Sequence, residues 1–148
     1  IEGAVDTATA ALCAEAVGAM ERLLEITVEY LTMRKQFGVA IGSFQALQHR
    51  AVDMLVAVEQ ARSMAFYAAM MCSEPDAAER SRAISAAKVQ INKSARFVGQ
   101  QAIQLHGGIG MTEECQAGHY FRRLSVIEML FGDTAHHLRR VAAGGGLV

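Results

Sequence analysis

The chain predicts an all-α fold: an up-and-down helical bundle of four long helices with a short helix at the C-terminal end. Three observations carry this. Alanine is abundant in a sequence of 148 residues that is 52% apolar, and alanine is the strongest helix former. The sequence holds one proline, Pro75, so the residue that interrupts helices is nearly absent. Apolar residues also recur three and four positions apart over segments much longer than a strand. The length suits a single domain, able to bury roughly two-thirds of its unfolded surface.

The first helix is expected over 4–33. Val5, Ala8, Leu12, Ala16, Met20, Leu23, Thr27 and Leu31 mark its core face, while Glu21, Glu25 and Glu29 fall on another face, solvated or open to a basic partner. Gly38 is expected to stop this helix and Gly42 to shape the turn. The second helix is expected over 43–72 with Ser43 as its cap. Its apolar face carries Phe44, Leu47, Ala51, Met54, Val58, Ala61, Ala65 and Ala68. Pro75 suits the first turn of a third helix over 77–105, whose stripe is Ala83, Ala87, Ile91, Ala95, Val98 and Ala102. Its small residues permit a close helix–helix approach. A fourth helix, 113–131, offers Tyr120, Phe121, Leu124, Ile127 and Leu130 to the core. A fifth, 134–143, follows Gly132-Asp133-Thr134, with Asp133 or Thr134 as cap. Gly144-Gly145-Gly146 reads as a frayed tail.

Between the third and fourth helices lies Gln104-Leu105-His106-Gly107-Gly108-Ile109-Gly110-Met111-Thr112-Glu113-Glu114. One reading is a corner, with glycines ending one helix, Thr112 capping the next, and two glutamates at the positive end of its dipole. The other is that glycine backbone here meets a phosphate or a ring.

Composition excludes several classes. The net charge of −1 gives no nucleic-acid footprint. No charge-free stretch of about 20 residues could span a bilayer, and no secretory signal is expected. Cys13, Cys72 and Cys115 are widely spaced and odd in number, which predicts buried thiols in a reducing, cytoplasmic setting rather than disulfides or zinc. His136 and His137 point about 100° apart on a helix, so no metal site is expected. The chain opens in mid-helix pattern without an initiator Met, which predicts a piece of a longer protein.

Arg34-Lys35-Gln36-Phe37-Gly38, then Phe44-Gln45, then Gln104 to Gly110 with Met111-Thr112-Glu113, come in an order and spacing that resemble the C-terminal helical domain of acyl-CoA dehydrogenases, from about Ala4 to Ala143. The resemblance implies the C-terminal third of an FAD flavoprotein of lipid metabolism. Such a protein removes two hydrogens from an acyl-CoA thioester and passes electrons to an electron-transfer flavoprotein. It also implies a homodimer or dimer of dimers, in which this domain reaches a neighbouring subunit's FAD. By the same resemblance Arg34 pairs with the FAD pyrophosphate, Phe37 packs by the adenosine half, and Gln45 lies near the cofactor. Gln104, Gly107 and Gly108 approach the nucleotide, and the segment around His136 and His137 lies near it. The isolated chain is expected to fold and self-associate without stoichiometric flavin and to be inactive.

The family's usual base is a glutamate in an aromatic–Glu–Gly–Thr stretch between the last two helices. Here the stretch is Leu130-Phe131-Gly132-Asp133-Thr134, so the base position holds Phe131 or Gly132, neither of which accepts a proton. The alternative family location falls near Ala8 and Thr9, again without a carboxylate. Asp133 is then either a displaced base or the cap of the fifth helix. In the second case the base comes from the absent upstream part or from a partner, as in hetero-oligomeric relatives with one baseless subunit. A helical assembly module with no flavin role is the remaining alternative.

Overall fold

The computed structural model describes residues 2–145; Gly146 of the expected tail lies outside them. The elements are α1 (Glu2–Met33), a hairpin of β1 (Lys35–Gln36) and β2 (Val39–Ala40), a 3-10 turn (Ile41–Ser43), α2 (Gln45–Met71), α3 (Ala77–His106), a second 3-10 turn (Gly107–Met111), α4 (Gln116–Met129) and α5 (Thr134–Ala143). The expected all-α bundle is what the chain forms.

The third helix is the central post, in contact with every other helix. All six residues of its expected stripe are buried. Against Ile91, Ala95, Val98 and Ala102 pack Met20 and Leu23 of α1, Met54 and Val58 of α2, and Leu124 and Ile127 of α4 in one core, while Ala87 joins a smaller cluster with Ala10, Ala68 and Ile84. Direct contacts fix the directions. Tyr30 near the end of α1 stacks on His106 at the end of α3, so these two run in the same sense. Arg50 near the start of α2 bonds Gln101 late in α3, so α2 runs against it. The fourth helix returns along α3 as Arg96 meets Glu128. The fifth does not reverse again: Thr134, His137 and Arg140 meet Asn92, Ser85 and Ser81 in turn. Thus α4 and α5 form one antiparallel run along α3, broken at 130–133.

Several boundaries differ from expectation. Asp76, not Pro75, starts α3; its carboxylate accepts the Ala78 and Glu79 amides at 2.8 and 3.3 Å. Ser43 lies in the 3-10 turn, donating to the Ala40 carbonyl, and Phe44 occupies the cap position of α2. Thr112 does not cap α4 either. Its hydroxyl donates back to the Ile109 carbonyl, α4 begins at Gln116 after Cys115, and Glu113 and Glu114 stay outside the helix. The first helix is stopped at Met33, before Gly38, which instead forms the hairpin turn.

The core stripe of α1 holds from Ala16 onward but is rotated by about one residue before it. Val5 is exposed and Ala8 and Leu12 are half-buried, while Asp6, Thr9 and Cys13 face inward. The cause is Arg80, whose Nε lies 3.3 Å from the Asp6 carboxylate, with Arg140 at 3.9 Å. On α2, Phe44 is exposed and Leu47, Ala51 and Ala65 are half-buried. On α4, Leu130 is exposed, and Tyr120 and Phe121 are half-buried. All three cysteines are free thiols, and burial pushes that of Cys13 up to about 11.

Candidate functional site

At one end of the bundle α1 gives way to the hairpin. The Arg34 amide closes the helix on the Tyr30 carbonyl at 2.9 Å, and its own carbonyl accepts the Ile41 amide at 2.8 Å. The two strands pair Lys35 with Ala40 and Gln36 with Val39. Between them Phe37 (φ 54) and Gly38 (φ 82) are both left-handed, as a two-residue turn matched to strand twist requires. Glycine accepts this freely; for phenylalanine it is a strained conformation that the surrounding structure must enforce. The Phe37 ring is 91% exposed, with only the edge of Phe44 against it, 6.2 Å between centroids. A strained aromatic turned out to solvent has no role in the core.

The other residues assigned to the cofactor lie at this end. Gln45 opens α2 and Gln104 sits in the last turn of α3, both exposed. Among the described residues, neither side chain makes a hydrogen bond, and no carboxylate lies within 4.0 Å of the exposed Arg34 guanidinium. The stacked rings of Tyr30 and His106, 4.6 Å apart, tie the last turn of α1 to the glycine corner. His106, the last residue of α3, is buried, its Nδ1 bonded to the Ala102 carbonyl at 2.8 Å. Gly107 ends α3 with φ 65, and a Cβ built at Gly107 or Gly108 would meet nothing within 4 Å. The chain itself therefore leaves that backbone open. A planar permanent cation, an exposed ring, two free amides and uncovered glycine backbone suit a ligand with an anionic group and an aromatic face. This is the chemistry of a dinucleotide's pyrophosphate and adenine, so the residues present fit FAD.

The α4–α5 loop is built in the opposite way. Asp133 caps α5, its carboxylate accepting the His136 amide at 2.7 Å. This is the cap reading of Asp133, with one carboxylate oxygen engaged by the helix end. Phe131 (φ 56) and Gly132 (φ 112) are left-handed. A Cβ at Gly132 would lie 2.5 Å from the His136 ring and 3.1 Å from Nε2 of His137. A carboxylate-bearing side chain at 132 would require those rings to move. At the alternative location Ala8 has no proton-accepting group, and Thr9 is buried with its hydroxyl bonded to Val5. Asp6, two residues before Ala8, is held by Arg80 and Arg140.

Sequence reasoning missed two buried groups beneath this loop. Lys88 is fully buried on α3, its Nζ donating to the Ile127 carbonyl at 2.6 Å. Burial pulls its ammonium below the usual lysine range. His137, expected near a surface, is fully buried. Its Nδ1 lies 3.1 Å from the Ser85 hydroxyl, and Nε2 faces the Phe131–Gly132 backbone without completing a hydrogen bond. Burial, then the nearby positive charges of His136, Arg140 and Lys88, push it down to about 4. The only sequence signal for either was a polar residue on a helix face turned to small neighbours. Among the described residues no three His, Cys, Asp or Glu side chains come together as metal ligands, and no helix is long and apolar enough to cross a membrane.

Residues 1–146 match the family pattern described as the acyl-CoA dehydrogenase C-terminal domain. This chain belongs to the acyl-CoA dehydrogenase family. It is 40% identical over 139 residues to the acyl-CoA dehydrogenase IpdE2 of Mycobacterium tuberculosis, covering 94% of this chain and 42% of that protein. Among solved structures it resembles a variant of the Tcur3481-Tcur3483 steroid ACAD (29% identity, TM-score 0.87, 94% of this chain and 38% of that one). It also resembles PigA with FAD and proline (32% identity, TM-score 0.83, 97% and 37%). The chain spans less than half the length of the curated relatives it matches.

Proposed function

We propose that this chain is the C-terminal domain of an FAD-dependent acyl-CoA dehydrogenase, that it completes the FAD site of a neighbouring subunit, and that the proton acceptor lies elsewhere. One observation supports the cofactor role above others. Arg34, Phe37, Gln45, Gln104, Gly107 and Gly108 sit at one end of the bundle; among the described residues the Arg34, Gln45 and Gln104 side chains have no hydrogen-bond or ion-pair partner, Phe37 is exposed, and the two glycines leave open space. Arg34 would hold the pyrophosphate as a bidentate fork, Phe37 would cover the adenosine half, and the two glutamines would orient the nucleotide. When bound, FAD supplies the hydride acceptor for α,β-dehydrogenation.

The largely apolar groove between α1 and α2, lined by Leu24, Val28, Ala51, Val52 and Leu55 with Glu25 and Glu29, supports self-association. Electron-transfer flavoprotein as the acceptor and a cytoplasmic location follow from the same reading.

A hetero-oligomeric form of this function is the alternative, because Asp133 is engaged as a cap and Phe131 and Gly132 carry no carboxylate. The acceptor then comes from the upstream part or from a partner chain. The test uses the chain joined to its native upstream sequence, with bleaching of the flavin band by a panel of acyl-CoAs. Asp133→Asn keeps a capping oxygen and is expected to leave bleaching as in wild type, present or absent. Bleaching by wild type that Asp133→Asn abolishes would make Asp133 the base and overturn the baseless reading.

A further inference from the structure

Lys88 needs an explanation that packing does not give. An ammonium removed from water is costly unless paired, and among the described residues no carboxylate lies within 4.0 Å of it. Its one partner is the Ile127 carbonyl, in the last turn of α4. That carbonyl already receives the Leu130 amide at 3.3 Å, and the chain then leaves the helix in extended conformation, φ −71 and ψ 134 at Leu130. The helix therefore ends without the left-handed glycine at its cap that commonly satisfies terminal carbonyls. The left-handed residue comes one position later and is Phe131, half-exposed, with Gly132 behind it. A strained phenylalanine persists only where its surroundings over-determine it. On the exit side the loop is fixed by the Asp133 cap and by Thr134, which contacts Asn92 and Glu128. On the entry side Lys88 holds the Ile127 carbonyl from beneath, with the Glu128 charge of α4 nearby.

We propose that Lys88 is a positioning residue for the Leu130–Asp133 loop: its buried ammonium holds the carbonyl end of α4 and so fixes the left-handed backbone that turns Phe131 outward. A cation is the right group there, because the C-terminal end of a helix carries partial negative charge. Methionine would fill the same volume without holding the carbonyl. The proposal draws on the flavin reading only for what the loop faces, namely the reacting part of the bound cofactor.

The experiment is amide hydrogen exchange, read by mass spectrometry on the chain with its native upstream sequence, with and without FAD. Lys88→Met is expected to speed exchange in the peptide spanning 128–136 at least ten-fold while α1 and α2 keep wild-type rates. Lys88→Arg, which retains a cation and donors, is expected to restore most of the protection lost in Lys88→Met. Unchanged exchange at 128–136 in Lys88→Met would overturn the proposal. So would exchange raised equally across the whole bundle, since the lysine would then serve the fold rather than the loop. Failure of Lys88→Arg to restore protection would overturn the assignment to the cation. Added FAD is expected to protect 128–136 in wild type. If it does not, the flavin reading of this loop fails while the Lys88 comparison still stands.

Discussion

Among the described residues Arg34, Gln45 and Gln104 make no side-chain hydrogen bond or ion pair and Phe37 meets the edge of Phe44, whereas Asp133 caps α5 and Lys88 and His137 are bonded and enclosed by their own chain. The two regions are joined by the same helix. From His106 back to the level of Asn92 and Lys88 is 14 to 18 residues of α3, roughly 20–27 Å. One region leaves its polar groups and glycine backbone open; the other holds its own backbone in an unusual shape. In the first, substitution should alter binding and spare the fold. In the second, substitution should alter the fold or its pH dependence first.

The largest expected effect is at the open end. Arg34→Ala in the chain with its upstream sequence should weaken FAD retention at least ten-fold, a loss of about 1.4 kcal/mol or more in binding. Flavin absorbance after gel filtration would measure it. The melting midpoint of the flavin-free protein should hardly move, because exposed substitutions usually stay within about 0.5 kcal/mol. A matching fall in flavin-free stability would erase the contrast between the two regions.

The enclosed region should show itself in pH dependence. His137 is held at about 4 in the fold against 6.5 when free, so the folded state favours its neutral form. Stability from this group is fully present above pH 6.5 and is lost as pH falls through 4, by on the order of 3 kcal/mol. Urea titrations of wild type and His137→Leu between pH 7 and 4 would show the difference, since the variant lacks that part of the acid loss. Identical pH profiles would mean that His137 is not enclosed as described.

Much of this was legible in the sequence, for physical reasons that also mark where legibility ended. The stripe of α3 was complete because the central helix meets neighbours on several sides, and its small residues have no other use. The family motifs were legible because they place specific residue types at specific ends of helices, and the family pattern matches residues 1–146. The amino half of α1 was not, because Asp6 is drawn inward by Arg80, a partner 74 positions away that periodicity does not register. The hairpin was hidden because a left-handed phenylalanine at 37 contradicts local preference, and Thr112 was misplaced because its hydroxyl bonds backward rather than forward. The burial of Lys88 and His137 was not legible because it depends on a tertiary partner, the Ile127 carbonyl for one and the Ser85 hydroxyl for the other.

The most direct test sets two glycines against each other in the chain with its upstream sequence. Gly108 has open space where a Cβ would stand, while Gly132 is left-handed and packed against two imidazoles. Gly108→Val should keep the wild-type melting midpoint without flavin and lose most of the bound FAD. Gly132→Val should lower the flavin-free stability by about 1–3 kcal/mol. If Gly108→Val retains full flavin content while folded, the open end of the bundle is not the cofactor surface, and the account of this chain as an FAD-completing domain is wrong.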